Sequence, residues 1–398
     1  MPQPSKDRRV ELVDALRGFA LLGLLLIHSL EYFELYWQHP EPSQLHDLVF
    51  IAFAGKSYAI FALLFGLSFF IIMDSQARRG VDFSGRFIWR LMILLALGYL
   101  HGLLYESDVL QVLAILGFGL LLLQRFSNRT ILVLSSLCVL QLPLVYHAIA
   151  ALSGQTGAND PPLNWALSAQ SFPVFAHGTL VDVIRFNAWR GELNKWNFLW
   201  ESGRLVQIAG LFGLGLVLGR VGFFTNPDRF KRVRAHALII ATIAALIFHL
   251  AQTHVGSVPA VHAAPVFARW ALNQLFDDYF STAATVLEVL VFVELYQFAM
   301  LRAVLNPLAL AGRMSLTMYV TQALVCVPLF YGFGLGLYRY VDQAQALLVG
   351  IGFFCLQLLF AHWWLNRYHY GPLEWIWRSA TYMTWRVPLR RQGELAVG

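Results

Sequence analysis

Arg17 and His28 lie eleven residues apart inside one apolar segment, LVDALRGFALLGLLLIHSLEYF. At ~100° per residue that separation is about 1100°, close to three helical turns, so the two side chains share a face. Asp14 and Glu31 fall on the same stripe. A membrane helix with ionisable groups along one face is costly, and the default reading of such a face is a functional site. Arg17 is a fixed cation suited to a phosphate or pyrophosphate. His28 follows ~16 Å further along the axis at 1.5 Å per residue. A histidine there can serve as general base on a hydroxyl or as an acyl-accepting nucleophile. Taken singly, Arg17 also fits a simple charge bias and His28 a helix–helix hydrogen bond. Together with Asp14 they read as a polar path from one membrane surface to mid-bilayer.

Two further groups could join that chemistry. Lys56 opens FAGKSYAIFALLFGLSFF, His101 ends one apolar run in GYLHGLLYESDVLQVLAILGFG, and Glu106 and Asp108 form the short turn into the next. So short a loop makes the two flanking helices antiparallel neighbours, which brings Asp108 within reach of His101 as an orienting carboxylate. His39 and His46 stand in the preceding loop and could join the same site; each alone also reads as a surface histidine. The third group is GRMSLTMYVTQALVC at 312–326, where Arg313 precedes a half-helix carrying Ser315, Thr317, Tyr319, Thr321 and Gln322. Such a half-helix faces protein or a cavity, and its polar groups serve either substrate contact or helix–helix hydrogen bonds. Arg204 and Gln207 begin another apolar run. Glu288 and Glu294 are six apart, about 600°, and do not share a face.

The elements that must position these residues are membrane helices. The chain is 58% hydrophobic and 13% charged with a mean hydropathy of +0.58, whereas a soluble domain carries roughly 25% charged residues. The net charge of +6 is dispersed at helix ends, with no aromatic-interleaved basic patch, which excludes a nucleic-acid partner. Cys138, Cys326 and Cys355 fall within apolar runs and read as small core residues. There is no phosphate loop, no Cys/His metal spacing, no HExxH and no GxSxG, so metal, ATPase and serine-hydrolase readings lack support. The basic N-terminus before an apolar run is followed by no small-residue cleavage motif and reads as the flank of an uncleaved first span.

Apolar windows of ~20 residues predict about ten spans: 13–35, 49–73, 88–105, 109–124, 131–152, 204–221, 235–253, 280–300, 314–333 and 345–366. In that arrangement only Arg185, Arg190, Lys195, Arg204, Arg269 and Arg339 lie opposite the N-terminus, with Lys56 at a span entrance; all other Lys and Arg lie on its side. The bias predicts both termini cytoplasmic. Gly215 and Gly219 form a GxxxG pair, a sign of close helix packing. The stretch 153–203 has a turn-rich opening and then an aromatic amphipathic part suited to an interfacial helix. The expected fold is therefore all-α, a single integral-membrane domain over 1–398, with an N-terminal half of about 1–152, an outer loop of about 153–203 and a C-terminal half of about 204–385.

The segments VDALRGFALLGLLLIH, KSYAIFALLFGLSFF, LHGLLYESDVLQVLAILG, GRMSLTMYVTQALV and RYHYGPLEWIWRSATY, in this order, resemble the YeiB-like family of bacterial inner-membrane proteins, whose C-terminal half is a domain of unknown function. That family resembles, distantly, a superfamily of membrane acyltransferases that includes glycan-acylating bacterial enzymes and the lysosomal heparan-glucosaminide N-acetyltransferase. In the glycan O-acyltransferase branch an Arg is followed eleven residues later by a His in the first span, and Arg17 and His28 match that pattern. In the lysosomal branch the active His lies in the first luminal loop, where His39 is comparably placed. The resemblance implies acyl transfer from cytoplasmic acyl-CoA, acetyl-CoA included, to an extracytoplasmic glycan or lipid-linked acceptor in the bacterial cytoplasmic membrane. Arg17 and Arg313 would then hold the CoA phosphates and His28 would be base or acyl relay. His101 with Asp108, or His39, would share the catalytic role. Lys56, Gln207 and Tyr319 would contact substrate. The other reading is a transporter or flippase for an anionic lipid or small metabolite, with Lys56, Arg17 and Arg204 as counter-ions. Membrane lipids are partners in either case, and a homo-oligomer stays open.

Overall fold

In the computed structural model, residues 10–391 are described apart from 39, 42 and 227, and they form helices with no strand among them. The first is α1 (Glu11–Leu30), an apolar helix buried along most of its length. It ends in a tight turn at 32–38, then α2 (Gln44–Phe53) and α3 (Lys56–Ala77) follow as one bent apolar stretch, α2 capped at its start by the Ser43 side chain. An antiparallel pair comes next, α4 (Ser84–Gly102) and α5 (Leu110–Leu123), joined by the loop 103–109. The ensuing apolar run breaks at Gln141 into α6 (Asn128–Val139) and α7 (Leu142–Leu152). Three helices with an intervening π-turn then fold together: α8 (Leu163–His177), α9 (Leu180–Phe186) and α10 (Glu192–Glu201). The second half comprises α11 (Arg204–Val221), α12 (Lys231–His254), a short α13 (Pro259–His262), the long α14 (Val266–Leu295), α15 (Ala299–Arg313), α16 (Ser315–Phe330), α17 (Gln343–Leu365) and α18 (Pro372–Thr381).

The protein is a multi-pass membrane protein. Among the described residues six stretches are long and apolar enough to cross a bilayer, namely Glu11–Trp37, Gln44–Ala77, Asn128–Leu152, Arg204–Val221, Asp228–Ser257 and Gln343–Leu365. A seventh is counted if α14 and α15, bent by 118° at their junction, act as one span. Three of the ten windows expected from sequence become helices that fall short of that standard. α5 and α16 have only 14 and 16 residues, about 21 and 24 Å at 1.5 Å per residue, against a hydrocarbon core of roughly 30 Å. In α4 the polar Arg86, Arg90 and His101 dilute the apolar run. These three helices, α5 and α16 short and α4 diluted by polar side chains, carry or flank the candidate site.

Helix packing here rests on small residues, as van der Waals contact within lipid requires. A Cβ on Gly18 would sit 1.9 Å from the Leu308 carbonyl oxygen, and one on Gly312 would sit 1.8 Å from that of Asp14. Glycine therefore lets α1 and α15 touch backbone to backbone, and this brings Arg313, next to Gly312, to the end of α1 that holds Asp14 and Arg17. The largest core gathers Leu21 and Leu25 of α1, Leu94 of α4, Phe330 of α16 and Phe354 of α17 around the rings of Phe33, Tyr105 and Tyr319.

Candidate functional site

The end of α1 is where the chain departs most from ordinary geometry. Tyr32, Phe33 and Glu34 follow one another with φ of 48°, 51° and 86°. Non-glycine residues in this left-handed region are strained, and such strain clusters at functional sites. The turn folds the chain back under α1, so that Glu34 and His28 face the same neighbour, Tyr105 of the α4–α5 loop. The Tyr105 hydroxyl donates to Glu34 Oε1 at 3.0 Å and lies 3.0 Å from His28 Nδ1. Since the one phenolic hydrogen goes to Glu34, the network assigns the second bond to His28 Nδ1–H, with Nε2 keeping its lone pair. Glu31 Oε2 stands 3.8 Å from His28 Nδ1 while its other oxygen accepts from the Trp37 indole at 2.7 Å. The Phe33 and Tyr105 rings pack on the His28 imidazole at centroid distances of 5.5 and 5.3 Å. His28 is thus oriented by a hydroxyl–carboxylate pair inside an aromatic wall.

The second histidine joins the same cluster. His101 Nδ1 lies 2.8 Å from Asp108 Oδ1, and Asp108 Oδ2 accepts the Gln111 amide N–H at 3.0 Å. A carboxylate with both oxygens accepting fixes the imidazole as the Nδ1–H tautomer. His101 Nε2 is buried and has no hydrogen-bond partner among the described residues. The His101 ring centroid stands 6.2 Å from that of Tyr105 and 5.1 Å from that of Tyr319, whose hydroxyl accepts the Val109 amide at 3.1 Å. The Tyr105 ring therefore neighbours both imidazoles.

A roof closes over the loop 103–109. Asn194 of α10 donates to Glu106 Oε1 and also to Ser168 of α8 at 3.0 Å. Glu192 accepts from Gln111 Nε2 at 2.7 Å and from Lys195 Nζ at 2.8 Å. Asn187 donates to the Leu103 carbonyl at 3.2 Å. Glu106 is 4% exposed, and burial pushes its carboxyl up to about 8 despite the Asn194 bond.

Of the residues singled out from sequence, His28, His101, Asp108 and Tyr319 come together. Arg17 stands toward the opposite end of α1, its guanidinium bonded to Asp14 Oδ1 and Ser68 Oγ, each at 2.6 Å. Arg313 is brought to that end through the Gly312–Asp14 contact. Lys56 lies elsewhere: its ammonium donates to the Ala54 carbonyl at 2.7 Å and faces the Phe280 ring at 5.0 Å. Gln207 shares that region, bonding Tyr58 and, at 2.7 Å, Thr282, while Arg204 covers the Tyr58 ring at 5.2 Å. His39 lies outside the described residues. His46 stacks between Tyr36 and Phe50, away from His28. Glu288 and Glu294 stay apart, and Glu294 pairs with Arg234 at 2.6 Å. Most of the polar face of α16 serves helix packing: Glu374 of α18 accepts the Leu316 and Thr317 amides at 2.7 and 3.0 Å, and Gln357 of α17 bonds Thr321 at 2.8 Å. Among the described residues no group of three or more His, Cys, Asp and Glu could hold a metal ion.

Sequence reasoning missed Tyr105, Glu34, Glu192 and Asn194. Glu34, a carboxylate three residues after Glu31 in an aromatic run, was the one available signal.

With this geometry in hand, the comparisons with known proteins divide the chain in two. Residues 9–168, which include both histidines, Tyr105 and Arg17, match the family described as heparan-alpha-glucosaminide N-acetyltransferase, catalytic. Residues 218–384 match a family described as a protein of unknown function, DUF418. The chain is 26% identical to the uncharacterized protein YxaH of Bacillus subtilis, covering 96% of each chain. It is 25% identical to the uncharacterized protein YeiB of Escherichia coli, covering 94% of this chain and 96% of that one. An uncharacterized 39.9 kDa protein from the amylase 3' region of Bacillus acidopullulyticus is 24% identical over 94% of both. The resemblance to YeiB-like proteins thus runs along the whole chain, and the N-terminal half is related to acetyltransferase-like proteins.

Proposed function

We propose that this YeiB-like chain, acetyltransferase-like in its first half, is a membrane acyltransferase of the bacterial cytoplasmic membrane, with ten spans and both termini cytoplasmic. The donor is cytoplasmic acyl-CoA, acetyl-CoA in the simplest case, and the acceptor is a glycan or lipid-linked hydroxyl on or within the membrane. The observation that carries this reading is the His28–Tyr105–Glu34 relay, standing ~16 Å along α1 from Arg17 at 1.5 Å per residue. Arg17 and Arg313 hold the CoA phosphates at one end of α1, and the thioester reaches toward His28 at the other. His28 Nε2 takes the proton of the acceptor hydroxyl. The oxygen forms the new bond to the acyl carbon, the carbon–sulfur bond breaks, and the imidazolium returns the proton to the leaving CoA sulfur. Tyr105 and Glu34 steady the imidazolium while it carries that proton. His101, oriented by Asp108, faces the acceptor.

The test is to incubate the purified protein with labelled acetyl-CoA and the lipid extract of its host membrane. We expect labelled product with CoA release, reduced by about a hundredfold or more in His28→Ala, within the range of positioned acid–base catalysis. Undiminished transfer in that variant overturns the mechanism. A transport reading draws on the separate group of buried Lys56, Gln207 and Asp278 with half-buried Tyr58 between α3, α11 and α14. Substrate movement with no CoA consumed would select it instead.

A further inference from the structure

A groove of about 180 Å³ runs between α4 and α16, lined by Leu97, Leu100, His101 and Leu104 on one side and Val320 and Leu324 on the other. Its walls are apolar except for His101. Leu100 and Leu324, at 63% and 54% exposed, stand at its mouth. In a multi-pass membrane protein, apolar side chains turned outward on two adjacent helices face lipid and not water. The groove is therefore a lateral opening from the bilayer. It leads to an imidazole 94% buried by its 6% exposure, whose Nε2 has no partner among the described residues. A buried polar nitrogen without a partner is costly in an apolar wall, and a ligand hydroxyl removes the cost.

We infer that this groove is the docking site of a membrane lipid bearing a hydroxyl at its head end, which donates to His101 Nε2 while the hydrocarbon lies along α4 and α16. Asp108 dictates the donor type. With Nδ1–H engaged by the carboxylate, Nε2 accepts only, so it selects a hydroxyl over an ether or an ester oxygen. The layout sets the orientation. His101 and Leu104 lie toward the α4–α5 loop, beside the roof of polar side chains from α10, whereas Leu316 and Leu373 close the far, wholly apolar end. The polar head thus points to the loop, and the tail runs along α16 toward Leu316, near the helix end that Arg313 precedes. This site deepens the acyl-transfer reading and rests on it, because it names the acceptor as a lipid that enters from the side. Its binding needs no acyl donor.

The experiment uses the full protein in lipid nanodiscs without CoA, and two probes: a long-chain alcohol with a mid-chain diazirine, and its methyl ether. After irradiation and digestion, we expect label on peptides spanning 97–104 and 316–324. The alcohol should label about fivefold more than the ether, the ratio that one neutral hydrogen bond supports. Leu324→Trp, a substitution at the exposed mouth, should abolish labelling at both peptides with thermal unfolding unchanged. Leu100→Trp provides the same test should the first variant fold poorly. His101→Phe should keep the labelling and erase the preference for the alcohol. Equal labelling by alcohol and ether in the unaltered protein, or label spread evenly over lipid-facing helices, overturns the inference. Selective labelling without acyl transfer from acetyl-CoA would leave the docking site standing and remove the proposed reaction.

Discussion

Tyr105 is the side chain on which the two halves of the site depend. Its hydroxyl joins His28 to Glu34, and its ring neighbours both His28 and His101. Tyr105→Phe keeps the ring and its edge contacts to His28 and Phe33 but removes the hydroxyl that links the imidazole to Glu34. We expect acyl transfer to fall on the order of a hundredfold, the lower end of what positioned proton transfer contributes. Thermal unfolding should stay close to that of the unaltered protein. A rate within a factor of two of the parent, read from labelled product, would show that His28 works without the relay. Arg17, His28, His101 and Asp108 were legible in sequence because an ionisable group in an apolar run is rare and stands out at helical spacing. Tyr105 was not, since tyrosine is ordinary at a membrane interface. Glu34 turns inward only because three consecutive non-glycine residues adopt positive φ, and nothing in their side-chain types announces that turn.

At the scale of elements, the apolar windows fell on helices but left out α15 and α18, and Gly215 and Gly219 marked close packing: a Cβ on Gly215 would sit 1.9 Å from the Leu63 carbonyl oxygen of α3. The bend between α14 and α15 and the folding of 163–201 over the α4–α5 loop were illegible. The bend is held across its own junction by Tyr296 with Asn306 at 2.5 Å, and the folding of 163–201 by contacts distant in sequence such as Glu106 with Asn194. The Glu106–Asn194 bond makes loop and roof one pH-sensitive unit. Glu106 ionises at about 8 in the folded protein against an ordinary value of 4.5. The folded state thus holds a proton that the unfolded chain gives up. The contribution of this group to stability is full below about pH 4.5 and is lost as the pH rises through about 8. Glu106→Gln keeps an acceptor for Asn194 and cannot ionise. We expect the variant and the parent to unfold at similar temperatures near pH 5, with the variant several degrees higher near pH 9, by thermal scans in detergent. Parallel curves across that range would show that Glu106 stays ionised in the fold.

For the whole molecule, orientation decides whether the site can work. A cytoplasmic thioester can reach His28 only if the Arg17 end of α1 faces the cytoplasm, since CoA phosphates do not cross lipid. On the ten-span reading the charges agree with that orientation: Arg78, Arg79, Arg125, Arg229, Lys231 and Arg232 would fall in or beside the loops on the Arg17 side, and the 163–201 roof over the α4–α5 loop carries Arg185, Arg190 and Lys195. The short α5 and α16 and the more polar α4 are compatible with ten spans because they surround the site, where protein and polar side chains replace lipid as neighbours. A fluorescent reporter that matures only in the cytoplasm, fused after the C-terminus, should therefore glow. An enzyme reporter active only after export should work when inserted near Gly157 and fail when inserted near Gly80. The reverse pattern would put Arg17 and Arg313 on the wrong side for a CoA donor, and would leave the buried Lys56–Gln207 region as the basis for a transport function instead.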